Sequence, residues 1–246
     1  MIKKKINKSL SDFTFLIPVF NNEKNIYTAY IKLKKFVYKN VKIIFVNDGS
    51  TDKSLCFLKK FYFKFQNKIK IIDLKKNYGQ IKALIIGLNY VKTKYSIILS
   101  CDLQDDIRVL NKMFFLSNNY DLIVSNRFQR QEHIIDKFFS RLYWSLMRIL
   151  TNKSIPKTGY DFCCINHQSV SRGINIQTPN IFIELYVISK KILILNGKRY
   201  KRKIGVSGWT IKKKIELFFK SFLFYIKKKP DIDIKNYKIY VKKIYE

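Results

Sequence analysis

The chain has 246 residues and carries 49 Lys and Arg against 17 Asp and Glu, which gives a formal net charge of +32. This length fits one large domain, or one domain with a small appendage. The charge favours anionic partners such as phosphorylated substrates, lipid headgroups or nucleic acid. Most of the basic excess is Lys, whereas proteins that read bases rely on Arg, so we expect no nucleic-acid partner.

Cysteine content and the length of apolar runs exclude further classes of protein. The four Cys and two His lack zinc-ligand spacing, so we expect no zinc site and reduced, buried cysteines. No apolar run reaches the about 20 residues that cross a bilayer, and the basic N-terminus lacks a signal-peptide core. We therefore expect a cytoplasmic protein.

Strands and helices alternate through the first hundred residues. Apolar runs that stop at polar residues predict strands at Phe13–Phe20, Val41–Val46, Ile69–Leu74 and Tyr95–Ser100. Helical periodicity or helix-start signals predict helices at Glu23–Tyr38, Ser54–Phe65 and Gly79–Val91. This alternation predicts an α/β fold with a Rossmann-like, mostly parallel sheet flanked by helices.

The second half is less regular. Asp121–Ser125 is a predicted strand, and two basic amphipathic helices are predicted at Ile134–Leu150 and Ile211–Lys229. Two interpretations of these helices stay open: they cover the core, or they lie in the membrane interface with Lys among anionic headgroups. The tail Pro230–Glu246 reads as an edge strand or a loose end. We assign residues 1–210 to one domain and 211–246 to a basic helix and tail.

Polar residues cluster where the predicted strands end. Ligands of parallel sheets bind beyond the carboxyl ends of the strands, where Asn21, Asp48 and Asp102 fall. The densest cluster is Asp102–Asp106, which also contains Gln104 and stands out in a chain poor in acid. Carboxylate and amide oxygens suit a divalent metal, but an Asp-rich helix N-cap has the same composition. The residues alone leave both interpretations open.

Several segments, in order, resemble the family 2 glycosyltransferases, enzymes of the GT-A fold that use nucleotide-sugars. Those with the family's strand-end and helix-start patterns are Phe15–Ile26, Ile44–Thr51 and Asn77–Gly87. Asp102–Asp105, read DLQD, resembles the metal signature of the polyprenyl-phosphate branch, which includes dolichyl-phosphate-mannose synthase and undecaprenyl-phosphate sugar transferases. Further similar segments of that branch are Lys137–Tyr143, Gly159–Phe162 and Arg202–Trp209.

The resemblance implies an inverting transfer from a UDP- or GDP-type sugar to a lipid-phosphate or glycan acceptor in cell-surface glycan synthesis. The implied nucleotide-sugar contacts are Pro18, Val19, Asn21, Glu23, Asp48, Gly79, Ser100 and Asp102. Asp48 has an alternative role as a turn-stabilising Asx motif. Asp102 and Gln104 are the implied ligands of Mg²⁺ or Mn²⁺, and Asp105 and Asp161 are candidate bases or acceptor-binding groups.

Basic residues near these segments are candidates for holding phosphates, because guanidinium pairs with phosphate in a bidentate manner. They are Arg127, Arg130, Lys137, Arg141 and Arg202. Polyprenyl-phosphate transferases often carry transmembrane helices after the catalytic domain, and we expect none here. We instead expect peripheral attachment to the anionic inner face of the membrane through the two amphipathic helices. The sequence does not fix the oligomeric state.

This chain departs from the family pattern at two positions. Ser100 stands where the family has its first acidic residue, and Asp106 replaces the Pro that follows DLQD. Loss of that carboxylate predicts weaker metal binding, a change in which ribose or phosphate oxygen is held, or reduced activity. Two interpretations of Asp106 stay open: it compensates in part for the missing carboxylate, or it caps a helix. The alternative function is a non-catalytic, nucleotide-sugar-binding subunit of a glycan-assembly complex. A basic nucleic-acid-binding protein is a remote alternative that rests on charge alone.

Overall fold

The computed structural model describes residues 10–129, 134–170, 174, 177–200, 211–227 and 237–246. Its strands are β1 (Phe13–Val19), β2 (Lys42–Asn47), β3 (Ile69–Leu74), β4 (Tyr95–Ile98), β5 (Leu122–Gln129), β6 (Cys163–Asn166), β7 (Ile192–Lys198) and β8 (Val241–Tyr245). Its helices are α1 (Glu23–Tyr38), α2 (Ser54–Lys64), α3 (Gln80–Leu88), α4 (Val109–Leu116), α5 (Ile134–Thr151), α6 (His167–Val170), α7 (Ile181–Ile188) and α8 (Ile211–Ile226).

All eight strands form one sheet in the order β7-β5-β6-β4-β1-β2-β3-β8. Strands β1 to β4 are parallel, and β5 pairs in parallel with β7. Strand β6 runs antiparallel to both β4 and β5, and β8 runs antiparallel to β3. The predicted mostly parallel α/β sheet is therefore confirmed. We call the edge where β1 to β4 end the carboxyl edge.

Helices bury both faces of the sheet. On one face α1, α2 and α4 pack against alternate residues of β1 and β2, which include Phe15 and Phe45. On the other face α3, α5 and α7 cover the intervening residues, which include Leu16 and Val46. Burial on both faces explains why these strands read as continuous apolar runs.

The predicted elements of the first hundred residues are present with small shifts at their ends. Three of the four free cysteines are buried as expected, but Cys56 on α2 is exposed. The sequence does not predict α4, β6, α6, α7 and β7. These elements have four to eight residues each, and α7 is buried along most of its length, so none of them gives a clear period.

The tail contains the edge strand that was one of its two interpretations. Strand β8 pairs with β3 from Ile71↔Tyr245 to Leu74↔Val241. The ion pair between Lys70 Nζ and a Glu246 carboxylate oxygen, 2.6 Å apart, lies beside this pairing. The tail therefore belongs to the same sheet as the first hundred residues.

Candidate functional site at the carboxyl edge

The loops after β1 and β2 are joined by side chain-to-backbone hydrogen bonds. Asn21 Oδ1 accepts the backbone N–H of Thr51 at 2.9 Å, and the N–H of Asn21 donates to Ser50 Oγ at 3.1 Å. Asn21 has a positive φ of 46°, a conformation that Asn tolerates better than most residues. The predicted nucleotide residue Asn21 thus also holds two loops together.

A reciprocal pair of acids strengthens the same junction. The N–H of Glu23 donates to Asp52 Oδ2 at 3.1 Å, and the N–H of Lys53 donates to Glu23 Oε2 at 3.0 Å. Asp52 Oδ1 also accepts the N–H of Ser54 at 2.9 Å, at the start of α2. These carboxylates satisfy amides at the starts of α1 and α2 that no helical carbonyl reaches.

Asp48 connects the loop after β2 to the loop after β3. Its two carboxylate oxygens accept the backbone N–H groups of Tyr78 at 2.8 Å and Gly79 at 2.9 Å. Its own N–H donates to Val19 O at 2.8 Å, so Asp48 touches the ends of three chain segments. Burial raises the pKa of Asp48, while the two amide hydrogen bonds oppose that rise. Pro18 lies half-buried beside Val19 in β1.

Gly49 permits this close approach. Its φ is +65°, and a Cβ at this position would lie 2.4 Å from the carbonyl carbon of Lys76. No side chain fits there without moving the backbone of the neighbouring loop. The Gly of the Asp-Gly-Ser segment therefore sets the distance between the loops after β2 and β3.

The acidic segment after β4 divides into separate roles. The Ser100 hydroxyl donates to Asp102 Oδ1, so the residue in place of the family's first acid contacts the predicted metal ligand. Asp106 instead accepts the N–H of Arg108 at 3.0 Å and forms an ion pair with its guanidinium at 2.8 Å. Hydrogen bonding to Arg108 lowers the pKa of Asp106. This acid serves the turn that leads into α4.

Arg199 brings together three of the predicted site residues. Its Nη1 lies 3.1 Å from Asp161 Oδ2 and 3.6 Å from Asp105 Oδ1, and its Nη2 donates to Gln104 Oε1 at 3.1 Å. Asp161 precedes β6, whose antiparallel direction places the start of that strand at the carboxyl edge. Arg199 follows β7 at the same edge.

Sequence reasoning missed Arg199. It stands in the basic run 198–203, where no single cation is distinguished by composition. The side chain is only 16% exposed, which separates it from the solvated Lys and Arg of the surface. Its one available signal was its position near the family-like segment Arg202–Trp209.

Of the two predicted metal ligands, Asp102 and Gln104, Asp102 is the better suited to a divalent cation. Asp102 offers a hard carboxylate, the kind of ligand that Mg²⁺ and Mn²⁺ prefer. The oxygen of Gln104 is engaged by Arg199. Within the described part of the chain there is no group of three or more His, Cys, Asp or Glu arranged to hold a metal. A bound ion would therefore be coordinated by Asp102 and by oxygen atoms of the substrate.

Three of the predicted phosphate-binding residues lie in described elements. Arg141 lies exposed on α5, Lys137 belongs to the first half of that helix, and Arg127 lies on β5 opposite Gly197 of β7. Arg130 and Arg202 lie outside the described residues.

A second feature lies on α8. Its inward side combines apolar residues packed on the core, Leu217 and Phe218, with polar contacts: Ser221 is fully buried with its Oγ 3.0 Å from the Tyr143 hydroxyl, and the Tyr225 hydroxyl donates to Glu184 at 3.3 Å. Its solvent side carries four exposed apolar residues besides the ion pair of Glu216 with Lys220. We call this the α8 outer face, formed by Ile215, Phe219, Leu223 and Ile226, each between 43% and 57% exposed.

Neighbouring α5 also has exposed apolar residues, Leu142 and Ile149, which are 49% and 76% exposed. Tyr143 of α5 contacts Phe218 of α8, with ring centroids 6.4 Å apart. Within the described residues, no helix is both long and apolar enough to cross a bilayer. Exposed apolar side chains on two packed helices are a feature of surfaces that meet an apolar partner.

Comparison with known proteins gives a consistent picture. The family described as "Glycosyl transferase family 2" matches residues 14–177. YkcC of Bacillus subtilis, named an uncharacterized glycosyltransferase, is 25% identical over 212 residues, which are 83% of this chain and 65% of that protein. The undecaprenyl-phosphate 4-deoxy-4-formamido-L-arabinose transferase of Photorhabdus laumondii is 23% identical and covers 86% of this chain and 67% of its own length.

Solved structures share the fold. The mannosyltransferase PcManGT of Pyrobaculum calidifontis, in complex with GDP-Man and Mn²⁺, superposes with a TM-score of 0.63 at 11% identity, covering 90% of this chain and 66% of that one. Glucosyl-3-phosphoglycerate synthase of Mycobacterium tuberculosis, with Mn²⁺, UDP-Glc and phosphoglyceric acid, gives 0.63 at 10% identity, covering 92% and 85%. The expected GT-A fold is confirmed.

Proposed function

Because the chain belongs to glycosyl transferase family 2, we propose that it transfers a sugar from a UDP- or GDP-type donor, with inversion, to a lipid-phosphate or glycan acceptor. The observation that carries the proposal is the carboxyl edge, where Asp48 links three segments and follows β2, while Asp102 follows β4 on the other side of β1. The relative from Photorhabdus laumondii, an undecaprenyl-phosphate transferase by name, supports a lipid-phosphate acceptor in cell-surface glycan synthesis.

In this proposal the nucleoside binds over the ends of β1 and β2. The Asp48 carboxylate has lone pairs beyond those used by Tyr78 and Gly79, and one of them accepts an N–H of the base. Pro18 and Val19 line the base, while Asn21 and Glu23 keep the loop in place. The role of Gly79 is to present its amide to Asp48 rather than to the donor.

Asp102 would hold Mg²⁺ or Mn²⁺ together with the donor diphosphate, and Ser100 would orient that carboxylate. The ion, when bound, neutralises the charge that grows on the departing nucleoside diphosphate. Gln104 would join as a ligand only by releasing Arg199. The absence of a second acid at position 100 makes a weak metal site the expected result.

Arg199 orients the two candidate catalytic acids. A hydroxyl acceptor needs a base, and Asp105 or Asp161 would take its proton, with Arg199 setting the direction of each carboxylate. An ionised lipid phosphate needs no strong base, and Arg199 would then help to bind it. Arg127, Lys137, Arg141 and Arg202 are proposed as further phosphate contacts.

A panel of nucleotide-sugars, with Mg²⁺ or Mn²⁺ and with polyprenyl phosphate as acceptor, tests the proposal. We expect turnover with one donor class, loss of turnover in Asp102→Ala, and no loss in the control Asp12→Ala near the start of β1. Failure of the purified protein to bind either UDP or GDP, with or without Mn²⁺, would refute it.

A non-catalytic, nucleotide-sugar-binding role is the second candidate. The observation in its favour is that the Arg199 guanidinium contacts Gln104, Asp105 and Asp161. Of the acidic segment, this leaves Asp102 to hold a metal. Tight nucleotide binding without turnover across the whole panel would select this role over catalysis.

We also propose that the α8 outer face lies on the anionic inner surface of the membrane. An apolar face flanked by Lys is the composition of interfacial helices, and it would bring the carboxyl edge to a lipid acceptor. Flotation with anionic liposomes tests this. We expect cofloating wild type, loss in Phe219→Ser/Leu223→Ser, and no loss in Tyr27→Ser, which changes an exposed aromatic on α1.

A further inference from the structure

The C-terminal segment 237–246 contacts the loop that holds Asp48. Strand β8 pairs with β3, and immediately before it Tyr240 O accepts the backbone N–H of Lys75 at 3.0 Å. Lys75 is the first residue after β3, and the loop from there to Gly79 provides both amides that bind Asp48. The segment therefore contacts, at the carboxyl edge, the loop whose amides bind Asp48.

The Tyr240 side chain makes two further contacts around that loop. Its ring meets Tyr78 edge to face, with centroids 5.0 Å apart and planes at 79°. Lys82 Nζ lies 4.7 Å from the centroid of the same ring. Tyr240 thus touches Lys75, Tyr78 and Lys82, one residue at the start of the loop, one near its end and one on α3.

We propose that Tyr240 is a positioning residue for the nucleotide site, which rests on the donor binding proposed above. The ring holds Tyr78 where its N–H meets Asp48 Oδ1, and Gly49 packs against Lys76 in the same loop. Fixing the loop before the nucleotide arrives reduces the ordering that binding would otherwise require. Removal of the ring frees the loop and weakens donor binding without touching any donor-contacting side chain.

Tyr237 supplies a matched control. It belongs to the same segment but packs on Tyr90, with centroids 5.3 Å apart, beyond the far end of α3. Tyr237→Ala removes the same number of atoms from the same segment and leaves the Lys75–Gly79 loop contacts intact.

The experiment measures affinity for UDP and GDP, melting temperature, and hydrogen exchange of the Tyr78 and Gly79 amides. In Tyr240→Ala we expect affinity to fall by about tenfold and the two amides to exchange faster, whereas Tyr237→Ala changes affinity by less than about twofold. Tyr240→Phe keeps the ring and its backbone carbonyl, and should restore both readouts.

Each outcome decides the inference. Unchanged affinity in Tyr240→Ala, or an equal loss in both Tyr→Ala variants, overturns it. If the wild type binds neither UDP nor GDP, the proposed function fails. The exchange rates of the Tyr78 and Gly79 amides then test by themselves whether Tyr240 holds the loop. Unaltered exchange at Tyr78 and Gly79 in Tyr240→Ala, or in Tyr240→Leu where the alanine variant does not fold, also overturns it.

Discussion

The carboxyl edge and α8 differ in where their polar and apolar side chains lie. At the carboxyl edge, polar side chains such as Asn21 and Asp48 join exposed loops, and the apolar residues lie beneath them in the core. On α8 the polar groups Ser221 and Tyr225 face the protein, and Phe219 faces solvent. The first arrangement suits a rigid site for a polar ligand, and the second suits contact with an apolar phase.

The comparison of these two regions shows that the burial of a polar residue does not by itself reveal its role. A buried polar residue at the carboxyl edge fixes a loop next to a site, whereas a buried polar residue under α8 fixes the orientation of a helix. In both regions the hydrogen bonds determine which surface is left for a partner. Substitutions can test the two regions separately.

The largest effect is expected from Asp48→Ala, which leaves the amide of Tyr78 without its acceptor and the amide of Gly79 with Asn77 Oδ1 alone. The free energy of unfolding should fall by about 2–4 kcal/mol, and affinity for nucleoside diphosphate by about tenfold or more. Chemical denaturation and calorimetric titration measure the two quantities.

Asp121→Ala is the matched control. Its carboxylate also accepts two backbone amides, those of Lys190 and Lys191 at 2.9 Å, but it precedes β5 at the opposite edge of the sheet. We expect a similar loss of stability with unchanged affinity. Equal losses of affinity in the two variants would show that the effect of Asp48 is global.

A smaller effect is expected from Ser221→Leu on the buried side of α8. The larger apolar side chain does not fit the fully buried site and removes the partner of the Tyr143 hydroxyl. Unfolding free energy should fall by about 1–3 kcal/mol, measured by denaturation. An increase in stability would mean that the polar side of α8 is not what docks it.

Phe219→Ser tests the opposite side of the same helix. The side chain is 57% exposed, so stability should change by less than about 0.5 kcal/mol. Liposome binding should nevertheless fall, because about 25 cal/mol is lost for each Å² of apolar surface no longer buried. A clear loss of stability without loss of liposome binding would contradict the proposed membrane contact.

The last effect is absent at neutral pH and concerns His167, which lies beyond β6 at the edge opposite the site. Burial lowers its pKa to about 4, and its Nε2 lies 2.9 Å from Ser96 Oγ. The unfolded imidazole titrates near about 6.5, so between these values the unfolded chain binds more protons. Stability from the neutral ring is complete above that range and is lost as pH falls through it.

Melting temperature should therefore decline from about pH 6.5 towards pH 4, and His167→Gln should flatten the decline. Nucleotide affinity in the same window should respond equally in both proteins, because His167 is remote from the carboxyl edge. A nucleotide-affinity difference that appears only on acidification would contradict that separation.

Much of the carboxyl edge follows from the sequence, since parallel strands end on one side and polar residues end the strands. The positions of Asn21, Asp48 and Asp102 at that edge depend on nothing else. The sequence does not reveal that Glu23 and Asp52 bind backbone amides, because such bonds depend on the distance between two loops.

The Arg199 cluster depends on the reversed strand. Asp161 reaches the site only because β6 runs antiparallel, and a four-residue strand gives too little periodicity to predict its direction. Likewise, the apolar period of α8 predicts a helix but not which side docks. The docked side carries Leu217 and Phe218 together with Ser221 and Tyr225, and the partners of these two polar residues lie far away in the sequence.

The pairing of β8 with β3 has a consequence for biosynthesis. It joins Ile71 to Tyr245, two residues separated by most of the chain, so its formation carries a large loop-closure cost and is expected late in folding. On the ribosome, β3 has no partner on its outer side until residues 241–245 have emerged. During that interval its open edge is a site for chaperone binding or for mispairing with another nascent chain.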